Sequence, residues 1–265
     1  YDFMIHAFLA SAVVAIVAGI VGYFLVLRGQ TFAGHALSHV GFAGATGAVL
    51  IAVSPLWGLA AATVLAGVFM GLLGEKMSGR DVAIGLVLAL SLGLGVLFLH
   101  FYTAYATQAT AVLFGNVLGV DIPTLWGLFG LGAFSLALLA IIARPLLFAS
   151  LQPELAEARG ISLRLLGVLF LVVVAIAVAE SAQIVGVLLV FTLMVGPAAT
   201  AQRLTTRLGS GLVLSALLAL VEAWGGLTIS YYSDLPTSFL ITALSAGFYL
   251  LTLLRYPPTK TAGNH

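Results

Sequence analysis

The sequence predicts an all-helical integral membrane protein: a polytopic bundle of about eight to nine transmembrane helices, with a short extra helix on one side of the membrane. Three observations lead there. The 265 residues are 62% hydrophobic and only 7% charged, whereas a soluble domain carries about 25% charged side chains. The apolar runs are long and continuous, not the ~10-residue alternating segments of a membrane barrel. All ten lysines and arginines fall on one side when those runs are threaded alternately through a bilayer.

Nine runs are laid out in one domain over 1–265, at roughly 5–27, 36–53, 57–74, 82–100, 122–143, 164–181, 183–200, 209–229 and 237–254. Each is near the ~20 apolar residues that a ~30 Å hydrocarbon core requires. The first has no basic residues ahead of it, so it reads as a true span and not a cleaved signal. Ser54-Pro55 separates the second run from the third, and Tyr231 to Pro236 the eighth from the ninth. The stretch 101–121 is too short and polar for a clean span, and reads as a loop or a loop with a re-entrant helix. Thirty glycines suit the close backbone approach of helices packed in lipid.

With the N-terminus outside, alternate loops collect Arg28; Lys76 and Arg80; Arg144, Arg159 and Arg164; Arg203 and Arg207; and Arg255 and Lys260. The opposite loops hold Asp2, Asp121 and Asp234 and no basic residue. The positive-inside rule therefore places the basic side, with the C-terminus, in the cytoplasm. The largest cytoplasmic segment runs from Arg144 to about Leu163. Within it, Gln152-Pro153-Glu154-Leu155-Ala156-Glu157-Ala158-Arg159-Gly160 has an early proline and acid, a late arginine and a terminal glycine, the pattern of a short capped helix.

Two imidazoles stand out in this setting. His35 and His39, in Gly34-His35-Ala36-Leu37-Ser38-His39, are spaced i, i+4 and share one helix face. Polar groups at membrane depth are functional suspects by default, and neutral imidazole binds zinc and its neighbours well. Ala43 and Gly47 continue the same series and are expected to leave open volume beyond the rings. Two ligands do not complete a zinc site, so water or a symmetry-related copy would supply the rest. Glu222, in the outer half of the eighth run, is a third candidate for the metal path. Glu180 falls at the outer end of the sixth; it too could help ions enter, but an interfacial role is the better reading there. His100, Asp121 and Asp234 could attract cations at the outer surface, and read better as solvated groups. Pro197, after Gly196, kinks the seventh run.

Several chemistries are excluded. Without cysteine there is no disulfide, thiolate site or thiol nucleophile. A net charge of +1 gives no support for nucleic-acid binding. No Walker loop is present, so the chain cannot hydrolyse ATP alone. The His-x-x-x-His spacing imitates a zinc protease helix, but Ala36 stands where that motif needs a glutamate general base.

Taken together, the second-run motif, Asp81-Val82-Ala83-Ile84-Gly85, Leu113-Phe114-Gly115-Asn116-Val117-Leu118, Pro153-Glu154-Leu155-Ala156 with Gly160, and Val185-Gly186-Val187-Leu188-Leu189-Val190 leading to Pro197-Ala198-Ala199-Thr200-Ala201 resemble one family. It is the membrane permease subunits of bacterial ATP-binding-cassette importers for zinc, manganese and iron. The resemblance implies a homodimeric inner-membrane permease docked on separate ATPase subunits and receiving metal from an extracytoplasmic binding protein. It further implies that Gln152 to Gly160 is the coupling helix. Of the family's second-span metal contacts only His39 carries over directly; His35 stands where the family usually has aspartate, and Gln152 where it often has aspartate.

The expectation is a permease with no permanent cofactor, passing a divalent transition metal into the cytoplasm through contacts at His35, His39 and Glu222. Imidazole in place of a carboxylate favours zinc over manganese, so zinc is the main reading. The alternatives are manganese or iron import, an ATP-independent carrier or channel, and a non-transporting scaffold. The topology is directly testable because the chain has no cysteine of its own. Asp234→Cys should react with an impermeant thiol reagent outside intact cells, and Arg207→Cys only after the cells are opened. The reverse pattern would invert the orientation.

Overall fold

The computed structural model describes residues 2–73, 79–101, 113, 115 and 117–255. Among these there is no strand, and ten α-helices follow in order: α1 Asp2–Leu27, α2 Thr31–Leu50, α3 Pro55–Leu73, α4 Arg80–His100, α5 Ile122–Leu151, α6 Pro153–Ala158, α7 Leu163–Val185, α8 Val187–Leu204, α9 Leu208–Ser233 and α10 Thr237–Arg255. A short 3-10 turn, Val117–Gly119, precedes α5. All except α6 have the length of a span, in agreement with the nine runs. Seven of them (α1, α3, α4, α5, α7, α9 and α10) are both long and apolar enough to cross a membrane. The chain is a multi-pass helical membrane protein.

Two helices form the centre. In the most apolar stretch of α1 and of α7, 67% and 72% of residues are buried, against 22% in α4. Around this pair, α2, α3 and α4 pack on one side and α8, α9 and α10 on the other, while α5 lies against α1 and α7. Lipid gives no hydrophobic drive for helices to associate, so close fit and polar cross-links must hold them. Both are present. Ser215 Oγ donates to the Gly19 carbonyl at 2.7 Å, Gln202 Nε2 to that of Tyr23 at 2.9 Å and Trp224 Nε1 to that of Phe8 at 3.1 Å. Gly44 and Gly58 bring α2 and α3 into backbone contact, and Gly22 lies directly on the Met194 carbonyl of α8.

Element ends follow local chemistry. Gly29 has φ +64°; its N–H reaches the Val26 carbonyl and the Gln30 N–H that of Leu25, both at 3.0 Å. This is a Schellman turn, and it sets where α2 begins. Gly160 (φ +79°) closes α6 the same way, with Ile161 N–H on the Ala156 carbonyl at 3.0 Å. Asp121 caps α5 by accepting from Thr124 N–H at 3.0 Å. Bonding to Thr124, first by its side chain and then by its backbone, holds the exposed Asp121 carboxyl below its ordinary value.

Several boundaries differ from the sequence reading; α8 and α9 each run about four residues past their expected ends, to Leu204 and Ser233. The second run, set at 36–53, is Thr31–Leu50, because the turn at Gly29 ends within one residue of the helix start. The fifth does not stop at 143: α5 continues through Arg144 and Pro145 to Leu151. Arg144 is thus a helical residue and not part of a loop, and the 30-residue helix spans about 45 Å, longer than the hydrocarbon layer. The break after the sixth run is the single residue Gly186, at φ +87°, and not residue 182. The question posed for 101–121 lies largely outside the described residues, as do Lys76, Lys260, Phe114 and Asn116. Gly115 does pack on the backbone of Ile184 and Gly186.

Gly22→Ala places a methyl group on the Met194 backbone and should lower thermal stability in detergent by about 1–3 kcal/mol. Gly127→Ala, with nothing within 4 Å, should leave it unchanged. Equal melting temperatures for the two variants would refute the tight α1–α8 contact.

Candidate metal path

His35 and His39 lie in the first half of α2, on the face turned to α8. Their rings meet edge-on with centroids 4.7 Å apart, and the His35 ring meets Phe191 of α8 at 4.8 Å. His39 is 8% exposed and His35 is half-buried. Both Nδ1 atoms are buried and neither has a hydrogen-bond partner. Ser38, between them, turns back onto the Gly34 carbonyl at 3.3 Å. The expected pairing of the two imidazoles on one wall is therefore present.

The open volume expected beyond them is absent. An i+4 series advances about 40° per step around a helix, so by Gly47 the face has turned towards α4. There the Phe98 ring covers it, 3.0 Å from where a Cβ would stand at Gly47. Gly95 of α4 seats against Phe42 and Ala43 in the same way.

Glu222 is fully buried in α9, and neither carboxylate oxygen has a hydrogen-bond partner. Its polar neighbour is Ser245 of α10, whose hydroxyl lies 3.5 Å from the Thr192 carbonyl. Ser245 also presses on Gly196, one residue before Pro197, and α8 runs unbroken through that proline. The structure does not gather Glu222 with the histidines: among the described residues no group of three or more His, Cys, Asp or Glu is placed to hold a metal ion.

Glu180 departs from its expected interfacial position. It is 0% exposed, with both oxygens unpartnered, because α1 and α5 close over this part of α7. Sequence reasoning also passed over Ser135 and Ser181, whose buried hydroxyls have no partner. Isolated serines in apolar runs carry no signal of their own. Phe191 was missed for a similar reason, since nothing in its local sequence distinguishes it from packing. His100, Asp121 and Asp234 are exposed, as expected.

On the basic side, α6 projects Glu154 and Leu155 outward, and Leu151, Gln152, Pro153, Glu154, Leu155 and Ala158 line an open hollow of about 590 Å3. Arg28, just past α1, donates through Nη1 to Ser150 Oγ at 2.9 Å and stands over the Phe170 ring at 5.4 Å. Burial, followed by the nearby Arg80 charge, brings its guanidinium down to about 10, so it stays charged at neutral pH.

The chain is thus a helical membrane bundle with a surface helix and a histidine pair inside. The model of the ABC 3 transport family matches residues 1–256, and the chain belongs to that family. It is similar to the manganese transport system membrane protein MntC of Halalkalibacterium halodurans, at 29% identity over 97% of this chain and 88% of that one. The manganese import system permease protein ScaB of Streptococcus parasanguinis is also 29% identical, over 98% of this chain and 93% of its own. Among solved structures, PsaBC from Streptococcus pneumoniae in complex with Fab aligns at a TM-score of 0.85 and 29% identity, covering 96% of this chain and 91% of that chain.

Proposed function

We propose that this chain is the permease subunit of an ATP-binding-cassette importer carrying a divalent transition metal, manganese, into the cytoplasm of a bacterium. The observation that carries the reading is the free Nδ1 pair of His35 and His39 inside a fold that matches this family over 1–256. Manganese is preferred to zinc because relatives spanning nearly the whole chain are named for it. Nitrogen ligands alone favour zinc, but carrier selectivity is set by ligand geometry and metal availability as much as by raw affinity. Zinc is therefore the second reading.

Two imidazoles bind a dication far more weakly than a four-ligand site, which suits cargo that must be released. Water, or the same pair from a second copy in a homodimer, completes the coordination. Glu222 offers a later or earlier contact on a different seam. ATP is hydrolysed by separate cytoplasmic subunits that dock on α6, and an extracytoplasmic binding protein delivers the metal. The two halves then rock between outward-open and inward-open states, as alternating access requires.

The test is uptake into proteoliposomes holding this chain with its ATPase and binding protein. Manganese should enter only with ATP, and His39→Ala should slow it at least tenfold, about 1.4 kcal/mol of lost contact. Glu222→Gln should give a smaller loss, and Glu154→Arg should uncouple ATP hydrolysis from transport. Uptake by the chain alone, driven by an ion gradient, would overturn the importer reading. Faster uptake of zinc than of manganese at equal concentration would restore the second reading.

A further inference from the structure

Glu180 lies on a seam that the histidine pair does not touch. The α7 residues that meet α3, Val168, Leu171 and Ala175, lie on the opposite face of the helix from Glu180, at 100° per residue. Glu180 points instead between α1 and α5. A Cβ at Gly132 of α5 would stand 2.9 Å from Glu180 Oε1, 3.0 Å from Val17 and 3.3 Å from Val13. A carboxyl group sealed between two valines and a glycine costs stability and gains no bond. Such residues in membrane proteins mark ion pathways.

Three further observations give the seam direction. Its mouth carries Asp121, at the start of α5, and His6 of α1, near enough for their charges to interact. From His6 to Val17 is about 16 Å at 1.5 Å per residue, so Glu180 lies well below that mouth. Ser135, one turn beyond Gly132, adds a buried hydroxyl with no partner. The hydrogen bonds tying α5 to the α1–α2 turn are at its other end, from Arg28 to Ser150 and to the Leu146 carbonyl. Finally, α5 runs into α6 with only Gln152 between them, so a push on α6 moves the helix that covers Glu180.

We propose that Glu180 is a further contact for the divalent cation, uncovered when α5 pivots about its Arg28 anchor and its Gly132–Ser135 stretch lifts off α1 and α7. The carboxylate supplies the hard oxygen that suits manganese and that the histidine pair lacks. This proposal rests on the importer reading, through α6.

The test uses the transporter assembled with its ATPase in proteoliposomes, with Ser135→Cys as the only thiol in a permease without cysteine. An impermeant thiol reagent on the outer face should label it at least tenfold faster in the ATP-trapped state than without nucleotide. Manganese chloride should slow that labelling, and Glu180→Gln, which keeps shape, should remove the protection and slow transport at least tenfold. Equal labelling in both nucleotide states, or protection that persists in Glu180→Gln, would overturn the proposal. Should Glu180→Gln fail to assemble, labelling and protection in Ser135→Cys alone decide it. If the wild type takes up manganese with ATP while Ser135→Cys stays unlabelled, only this inference fails. Absence of ATP-driven uptake would instead remove the importer reading beneath it.

Discussion

Hydrocarbon offers no hydrogen bonds, and that constraint orders this molecule. Several polar side chains in its interior answer it with a hydrogen bond of their own. Ser38, Thr46 and Thr63 return their hydroxyls to carbonyls of their own helices, while the Ser215 hydroxyl and the Gln202 amide bind α9 and α8 to α1. Against that background the unpartnered groups are conspicuous. The Nδ1 atoms of His35 and His39 and the carboxylates of Glu180 and Glu222 cost stability where they stand. Their distribution over separate seams fits a series of passing contacts better than one closed site.

The architecture was readable because its signals are strong and physical. Long apolar runs, Pro55 and Pro236 at breaks and one-sided arginines located nearly every helix, and the Pro153–Gly160 pattern located α6. What failed were details set by neighbours. The length of α5 depends on an extension past the bilayer that hydropathy does not limit. The open volume expected above His39 vanished because Phe98, distant in sequence, fills it. Glu180 looked interfacial because its distance from Arg164 was legible, whereas the cover provided by α1 and α5 was not.

The histidine pair was legible from spacing alone, but the metal was not. Imidazole against carboxylate is an argument about affinity at one position. A carrier selects by all the contacts on its path, and the buried carboxylates lie on helices whose mutual placement no single run reveals. The preference for manganese over zinc thus rests on the relatives' names.

The central claim is that His35 and His39 touch the cation as it crosses. Pulsed electron paramagnetic resonance on manganese trapped in the assembled transporter reads this directly, since a nitrogen nucleus bound to the metal modulates the electron spin echo. The account predicts nitrogen modulation from two imidazoles, halved in His35→Ala and lost when both are replaced. A trapped, transport-competent manganese ion with an all-oxygen coordination shell would contradict it.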